Sequence, residues 1–157
     1  MIELFDQFRD RMLRYLLTFG LAVADAEEIV QDVFLALFRH LERGKSRANL
    51  RAWLFRVAHN QALKRRQRNR RDPDALAEDA IAIDPAPSPE DQALSTQSRR
   101  RMLAVVRALP EQDRRCLALR SEGLRYREIA GVLDMSLGAV SLSIARSLER
   151  IARATER

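Results

Sequence analysis

The residues with the clearest potential for chemistry lie on one predicted helix in the first half of the chain. Trp53, Arg56, Asn60 and Lys64 recur every three to four residues, so a helix would place them on one face. An aromatic ring can stack on an unpaired base, an amide can read a base edge, and cations can hold phosphates. Residues 64–71 add six cations in eight positions, which favours a polyanionic partner. Trp53 taken alone is equally compatible with a core position, because large aromatic side chains dominate protein cores.

A helix-turn-helix pattern lies in the second half of the chain, with helices predicted at 125–133 and 137–154. Asp134 takes the turn position that needs a left-handed backbone, and Ser136 is expected to cap the second helix. The buried stripe of that helix is predicted to be Val140, Ile144, Leu148 and Ile151. The side chains predicted to face a DNA major groove are Leu137, Gly138, Ser141, Leu142, Ala145 and Arg146.

The sequence contains few residues that could form a catalytic or a metal site. Glu28 and Asp32 could pair on one helix, but no His, Lys or metal ligand lies near them in sequence, so we expect no enzyme. His40, His59 and Cys116 are too far apart in sequence to suggest a metal site, and no cofactor is expected. A single cysteine excludes an internal disulfide, and Cys116 is expected to be a small buried residue.

The composition favours an all-α fold, because Gly and Pro number five each and Ala, Leu, Arg and Glu are abundant. The remaining predicted helices are 3–19, 25–42, 50–70, 98–108 and 110–120. Asp25 with Glu28 resembles a capping box, Asn49 is a plausible N-cap, and Pro110 suits a first helical turn. The expected apolar stripes are Ile29, Val33, Leu37 and Leu41, widened by Val30, Phe34 and Phe38, and then Leu50, Leu54, Val57 and Gln61.

Charge divides the chain into three blocks. Residues 1–71 carry a net charge of +7, residues 72–98 carry −7 with four prolines, and residues 99–157 carry +6. This distribution predicts two basic helical modules joined by an acidic, extended linker. The linker is either a solvated spacer or a segment that occupies a positively charged channel of a partner. No apolar run reaches the ~18 residues of a membrane span, and no signal pattern opens the chain, so we expect a cytoplasmic protein without membrane contact.

Together these motifs resemble a bacterial RNA polymerase sigma factor of the extracytoplasmic-function (ECF) type. Residues 25–35 resemble region 2.2 of that family, and residues 49–71, with Arg51-Ala52-Trp53-Leu54 and Ala58-His59-Asn60, resemble regions 2.3 and 2.4. Residues 109–112 and the helix-turn-helix resemble region 4. The resemblance implies a region 2 three-helix bundle at 1–71, a linker at 72–98 and region 4 at 99–157. It implies that the protein binds core polymerase, recognises −10 and −35 promoter elements and helps to open promoter DNA.

The resemblance also implies partners and contact residues. The polymerase clamp coiled coil would contact Asp25, Glu28, Gln31, Asp32 and Leu35, and the polymerase flap would contact region 4. The −10 single strand would contact Lys45, Ser46, Asn49, Arg51, Trp53, Arg56, Asn60, Lys64 and Arg65, with loop 43–49 receiving a flipped base. The −35 duplex would contact Arg127, Leu137, Gly138, Ser141, Leu142, Ala145, Arg146 and Arg150. The family further implies a dedicated anti-sigma factor, often membrane-bound, and association with the nucleoid when the protein is bound to polymerase.

Two departures from the family pattern matter. Lys64 is basic where the family often has an acidic residue, and the recognition helix has Ser141-Leu142-Ser143 where the family usually has Lys or Arg, so Arg146 is its first cation. Recognition of the −35 element is therefore expected to be weak or unusual, and arginine at Ser141 and Ser143 is expected to raise duplex affinity. The rival interpretations are a helix-turn-helix repressor or activator that acts on duplex DNA without polymerase, and an enzyme.

Overall fold

The computed structural model describes residues 2–45, 48–71 and 96–156, and all regular structure within them is α-helical. The helices are α1 (Ile2–Leu17), α2 (Val23–Glu42), α3 (Leu50–Arg71), α4 (Thr96–Ala108), α5 (Glu111–Ser121), α6 (Tyr126–Leu133) and α7 (Leu137–Thr155). The all-α prediction is therefore confirmed. The predicted linker lies outside the described residues except for its last three positions, 96–98, which belong to α4 and not to the linker.

The described residues form two compact units, of which the first contains α1–α3. Its core takes one apolar face from each helix, with Met12 from α1, Val33 and Leu37 from α2, and Leu54 and Phe55 from α3 all fully buried. The stripe predicted for α2 is confirmed from Ile29 to Leu37, with Val30 and Phe34 buried beside it, whereas Leu41 is half-buried. Helix amphipathicity thus orients α1, α2 and α3 about a common interior.

Helix α3 buries a different face from the predicted one. Its buried residues are Leu54, Phe55, Ala58, His59 and Ala62, whereas Leu50, Val57 and Gln61 are half-buried. The reason is that α3 packs against both α1 and α2, so it needs a wider buried face, in which the two alanines allow close approach. The His59 ring is part of this interior and its Nδ1 lies 2.8 Å from the Tyr15 hydroxyl.

The predicted starts of α2 and α5 are wrong by one or two residues, whereas α3 begins at Leu50 as predicted. Helix α2 begins at Val23 with Ala22 as its N-cap, so Asp25 lies inside the helix and forms no capping box with Glu28. Asn49 directly precedes α3, and its carbonyl accepts a hydrogen bond of 3.2 Å from the Trp53 N–H, but its φ of 58° is left-handed where an N-cap residue is normally extended. Pro110 is the N-cap of α5, with φ −52° and ψ 146°, and does not belong to its first turn.

The second unit contains α4, α5, α7 and most of α6. Its fully buried residues include Cys116, Leu119, Ile129 and Val140, which confirms the prediction for Cys116. The turn of the helix-turn-helix is also confirmed. Asp134 has φ 55° and the Ser136 Oγ accepts a hydrogen bond of 3.1 Å from the backbone N–H of Ala139.

The buried face of α7 differs from the predicted stripe. Val140 and Ile144 are buried as expected, but Leu148 is 53% exposed, and Ser143 and Ser147 are buried instead. Both serines can occupy the interior because their hydroxyls donate hydrogen bonds, Ser143 to Asp113 at 2.6 Å and Ser147 to the Ser143 carbonyl at 2.8 Å. Within the described ranges no single helix is long and apolar enough to cross a membrane, and the bent α6–α7 pair meets only length and composition criteria.

Candidate nucleic-acid interface

The outer face of α3 carries the residues predicted to bind a single strand. Arg56, Asn60 and Lys64 are exposed on it, and Trp53 is half-buried. The Trp53 ring packs on the His40 ring of α2, with centroids 4.7 Å apart and planes inclined by 38°. Trp53 is therefore neither a core residue nor a fully exposed one, because one of its sides rests on a neighbouring ring.

His40 is a candidate site residue that the sequence interpretation missed. The position of His40 along α2 did not indicate a role in the site, because its proximity to Trp53 depends on how α2 packs against α3. The backbone N–H of Lys45 donates a hydrogen bond of 3.3 Å to the His40 carbonyl, so the chain after α2 begins hydrogen-bonded to the last turn of that helix. Lys45 and Asn49 are exposed and Arg51 is half-buried, whereas Ser46 lies outside the described residues.

Arg65 does not lie free on the basic face where the sequence interpretation assigned it. Its guanidinium donates hydrogen bonds to Asp25 at 2.9 Å and to Glu28 at 3.1 Å, and its side chain is only 15% exposed. The hydrogen bond to Glu28 is the main reason why the pKa of Arg65 is raised above its ordinary value. Two residues predicted to contact polymerase and one predicted to contact DNA are thus bound to each other, and we name this arrangement the Arg65 clasp.

The outer face of α2 keeps the other residues predicted to contact polymerase. Gln31 and Asp32 are exposed, and Leu35 is 57% exposed. Phe38, predicted to lie in the core, is 48% exposed one turn beyond Leu35. A polar pair followed by two uncovered apolar side chains is a composition suited to a protein partner.

On α7 the predicted groove-facing residues Leu137, Gly138, Ser141, Leu142 and Ala145 are all exposed, as are the predicted DNA-contacting cations Arg127 of α6 and Arg150 of α7. Leu142 is the most exposed large apolar side chain of these, at 63%.

Arg146 is exposed on α7 but bound within the protein. Its Nη2 and Nε donate hydrogen bonds of 2.8 and 3.2 Å to the Asp113 carboxylate, whose side chain is 3% exposed. The hydrogen bond from Arg146 is the main reason why the pKa of Asp113 lies below its usual range. Ser143 donates a hydrogen bond to the same carboxylate and is 1% exposed. It therefore does not lie on a surface that could face DNA, and the prediction that arginine at this position raises duplex affinity is wrong.

The described segments contain no group of three or more His, Cys, Asp or Glu side chains placed to hold a metal ion. Cys116 is fully buried, its Sγ lies 3.7 Å from the Met135 Sδ, and burial raises the pKa of its thiol. A thiol in this environment is a poor nucleophile.

Comparison with known families matches residues 4–72 to Sigma-70 region 2 and residues 99–151 to Sigma-70 region 4. The ECF RNA polymerase sigma-E factor of Haemophilus influenzae is 32% identical over 146 residues, which cover 87% of this chain and 77% of that protein. The sigma-E factor of Escherichia coli K12 is 31% identical over 137 residues, covering 81% and 72% respectively. Among solved structures, the co-crystal structure of the sigma factor RpoE in complex with the anti-sigma factor NepR from Bartonella quintana matches with a TM-score of 0.69. That match is 20% identical in sequence and covers 99% of this chain and 98% of the other.

Proposed function

This chain belongs to the ECF group of sigma-70 RNA polymerase sigma factors, and we propose that its two helical units divide promoter recognition between them. As a sigma factor it binds core polymerase and promoter DNA and serves transcription initiation. In the proposal, residues 1–71 engage polymerase and the −10 element, residues 99–157 engage the −35 element, and the acidic segment between them connects the two. The rival repressor or activator function is not favoured by these relatives.

The −10 contact is assigned to the outer face of α3. The observation that carries it is an exposed amide, Asn60, between two exposed cations, Arg56 and Lys64, on the same face as the Trp53 ring that rests on His40. A face of this kind binds an unstacked strand better than a paired one, because stacking surfaces and base edges are available only after the duplex opens. That difference in affinity shifts the promoter toward the open form. Extruding a base costs a few kcal/mol, and stacking worth ~1–3 kcal/mol per base offsets it.

The polymerase contact is assigned to α2. Gln31, Asp32, Leu35 and Phe38 are exposed on it and are the proposed contact residues. Asp25 and Glu28 act indirectly in this proposal, because they already bind Arg65 and so hold α2 against α3.

The −35 contact is assigned to α6 and α7, with Arg127 and Arg150 on phosphates and the first two turns of α7 in the major groove. Arg146 has a structural part in this assignment, because Asp113 holds its guanidinium. In this proposal the chain contributes binding and no catalytic step, works in the bacterial cytoplasm on nucleoid DNA, and needs no cofactor.

A protein regulator is also proposed. A sigma factor of similar fold was crystallised with the anti-sigma factor NepR, and another, CnrH, with the cytosolic domain of CnrY. We infer that this chain is likewise restrained by an anti-sigma factor.

Run-off transcription with purified core polymerase tests the function. Synthesis from a cognate promoter is expected to require the added chain, and Asn60→Ala is expected to weaken binding of a −10 single strand by about tenfold while leaving affinity for core polymerase unchanged. Gln7→Ala removes an exposed amide from α1 and is the matched control, expected to behave as the original chain. Run-off synthesis that never depends on the chain would refute the function. An equal loss on random and cognate strands would refute base reading by Asn60.

A further inference from the structure

The outermost row of α7 carries no charged side chain over its first three turns. At helical spacing the row contains Gly138, Ser141, Leu142 and Ala145, all exposed, and its first charged member is Glu149. The neighbouring cation Arg146 is held by Asp113 at 2.8 Å. A recognition helix built this way meets its ligand with an apolar and largely small surface.

Leu142 is the large side chain in this row, and 63% of it is exposed. Its neighbours Gly138, Ser141 and Ala145 are small, so the helix backbone can approach a flat ligand closely and Leu142 then becomes the most protruding contact. In the major groove, the apolar feature that a side chain can meet is the C5-methyl group of thymine. Leu142 is the sixth residue of α7, in the N-terminal part of the helix that contacts base edges in this motif.

Charge favours duplex DNA over a protein as the occupant of this row. Residues 96–156 contain 12 arginines against 7 acidic side chains, a net charge of +5. Three of those acidic side chains, Asp113, Glu122 and Glu128, are buried, and the two helices of the helix-turn-helix expose the cations Arg127 and Arg150. An apolar row on a unit of net positive charge suits a groove whose floor carries methyl groups and whose rims carry phosphates.

We infer that Leu142 is a specificity-determining residue that reads a thymine methyl group in the −35 element. The inference rests on the proposed function, since it assumes that α7 enters that duplex. It makes −35 recognition in this chain depend on apolar contact with a base edge, in place of the usual cation in the recognition helix.

The test removes the methyl group alone. The complex of the full chain with core polymerase selects its preferred −35 duplex from a randomised library, and each thymine of that duplex is then replaced singly by uracil. At one or two positions uracil is expected to lower affinity about fourfold, the effect of withdrawing one methyl-sized group from an apolar contact. Leu142→Ala is expected to lower affinity for the thymine duplex by a similar factor. It is also expected to abolish the difference in affinity between the thymine and uracil duplexes, because in a double-mutant cycle two groups that contact each other have effects that do not add.

Two further variants serve as controls. Leu148→Ala removes an exposed leucine from the same helix about 9 Å further along, and it is expected to keep full sensitivity to uracil. Leu142→Met retains an apolar side chain of similar volume, and it is expected to keep most of that sensitivity.

The outcomes separate the inference from the function. If the original complex does not distinguish uracil from thymine, or if Leu142→Ala remains sensitive, the inference is wrong. If Leu142→Ala loses affinity for core polymerase and stays sensitive to uracil, the row is a protein surface and the inference is also wrong. In either case run-off synthesis that still depends on the chain leaves the proposed function standing, whereas loss of that dependence on every template would refute the function itself.

Discussion

Replacing Asp113 by asparagine is expected to loosen the second unit and leave the first unchanged. Asp113 is buried in the first turn of α5 and accepts three hydrogen bonds from α7, one from Ser143 at 2.6 Å and two from Arg146 at 2.8 and 3.2 Å. An asparagine fits the same space, but its neutral amide loses the charge-assisted bonds and turns an N–H group toward the guanidinium or the hydroxyl.

The expected loss is about 2 kcal/mol in the free energy of unfolding. Hydrogen bonds to a charged group contribute ~1.5–3 kcal/mol each. We expect a loss smaller than the sum over the three bonds, because the Arg146 side chain is 46% exposed and water replaces part of its interaction with Asp113. A loss of that size raises, by about 30-fold, the rate of the amide hydrogen exchange that occurs through unfolding of the second unit.

Hydrogen exchange followed by mass spectrometry on the full chain measures this effect by region. Peptides from α5 and α7 are expected to exchange faster in Asp113→Asn, and peptides from α1–α3 serve as the internal control. Glu149→Gln is the matched variant, because it breaks a surface ion pair with Arg153 on the same helix and is expected to change the free energy by less than about 0.5 kcal/mol. Equal exchange in Asp113→Asn and the original chain at neutral pH would refute the reasoning.

Acid supplies a second check on the same contact. The pKa of Asp113 is lowered in the folded chain, so its stabilisation is complete above the ordinary carboxyl pKa of ~3.9 and is lost as pH falls through the lower folded value. The difference between the original chain and Asp113→Asn is therefore expected to shrink below about pH 3.9. A difference that stays constant throughout that acidic range would contradict the role given to the Asp113 charge.

Other predictions concern single side chains. His40→Ala is expected to weaken −10 single-strand binding several-fold in a fluorescence assay, because Trp53 loses its supporting ring, and unchanged affinity would contradict this. Ser141→Arg is expected to raise duplex affinity and steepen its salt dependence by ~0.9, measured by titration at several salt concentrations. Phe38→Ser is expected to lower affinity for core polymerase about tenfold in a binding assay, and a change below twofold would remove Phe38 from that surface.

The sequence predicted the helices well because helical periodicity and turn chemistry are local. Asp134 and Ser136 are examples, since a left-handed turn and a helix cap each depend on residues within three positions. The exposure of Phe38 and Leu148 was not predicted, because an apolar stripe continues along a helix whether or not a neighbouring helix covers it.

The contacts that distinguish the candidate surfaces were not predictable in the same way. The ring pair of His40 with Trp53 and the bond between Arg146 and Asp113 each join residues on different helices. Spacing along one helix shows which side chains share a face, but it does not show which side chain of another helix they meet. The sequence showed which residue types share a helix face, whereas their pairing with side chains of other helices required the tertiary structure.

The Arg65 clasp would complicate a genetic dissection of this protein. Mutations of Asp25 or Glu28 would be found among those that impair polymerase binding, although each carboxylate accepts a hydrogen bond from Arg65 of its own chain. Compensating second-site suppressors would then map to codon 65 of the same gene, and a search for them in a polymerase subunit would fail. Under the proposed polymerase contact, alleles of Asp32 or Leu35, whose side chains are exposed, would instead have suppressors in the partner.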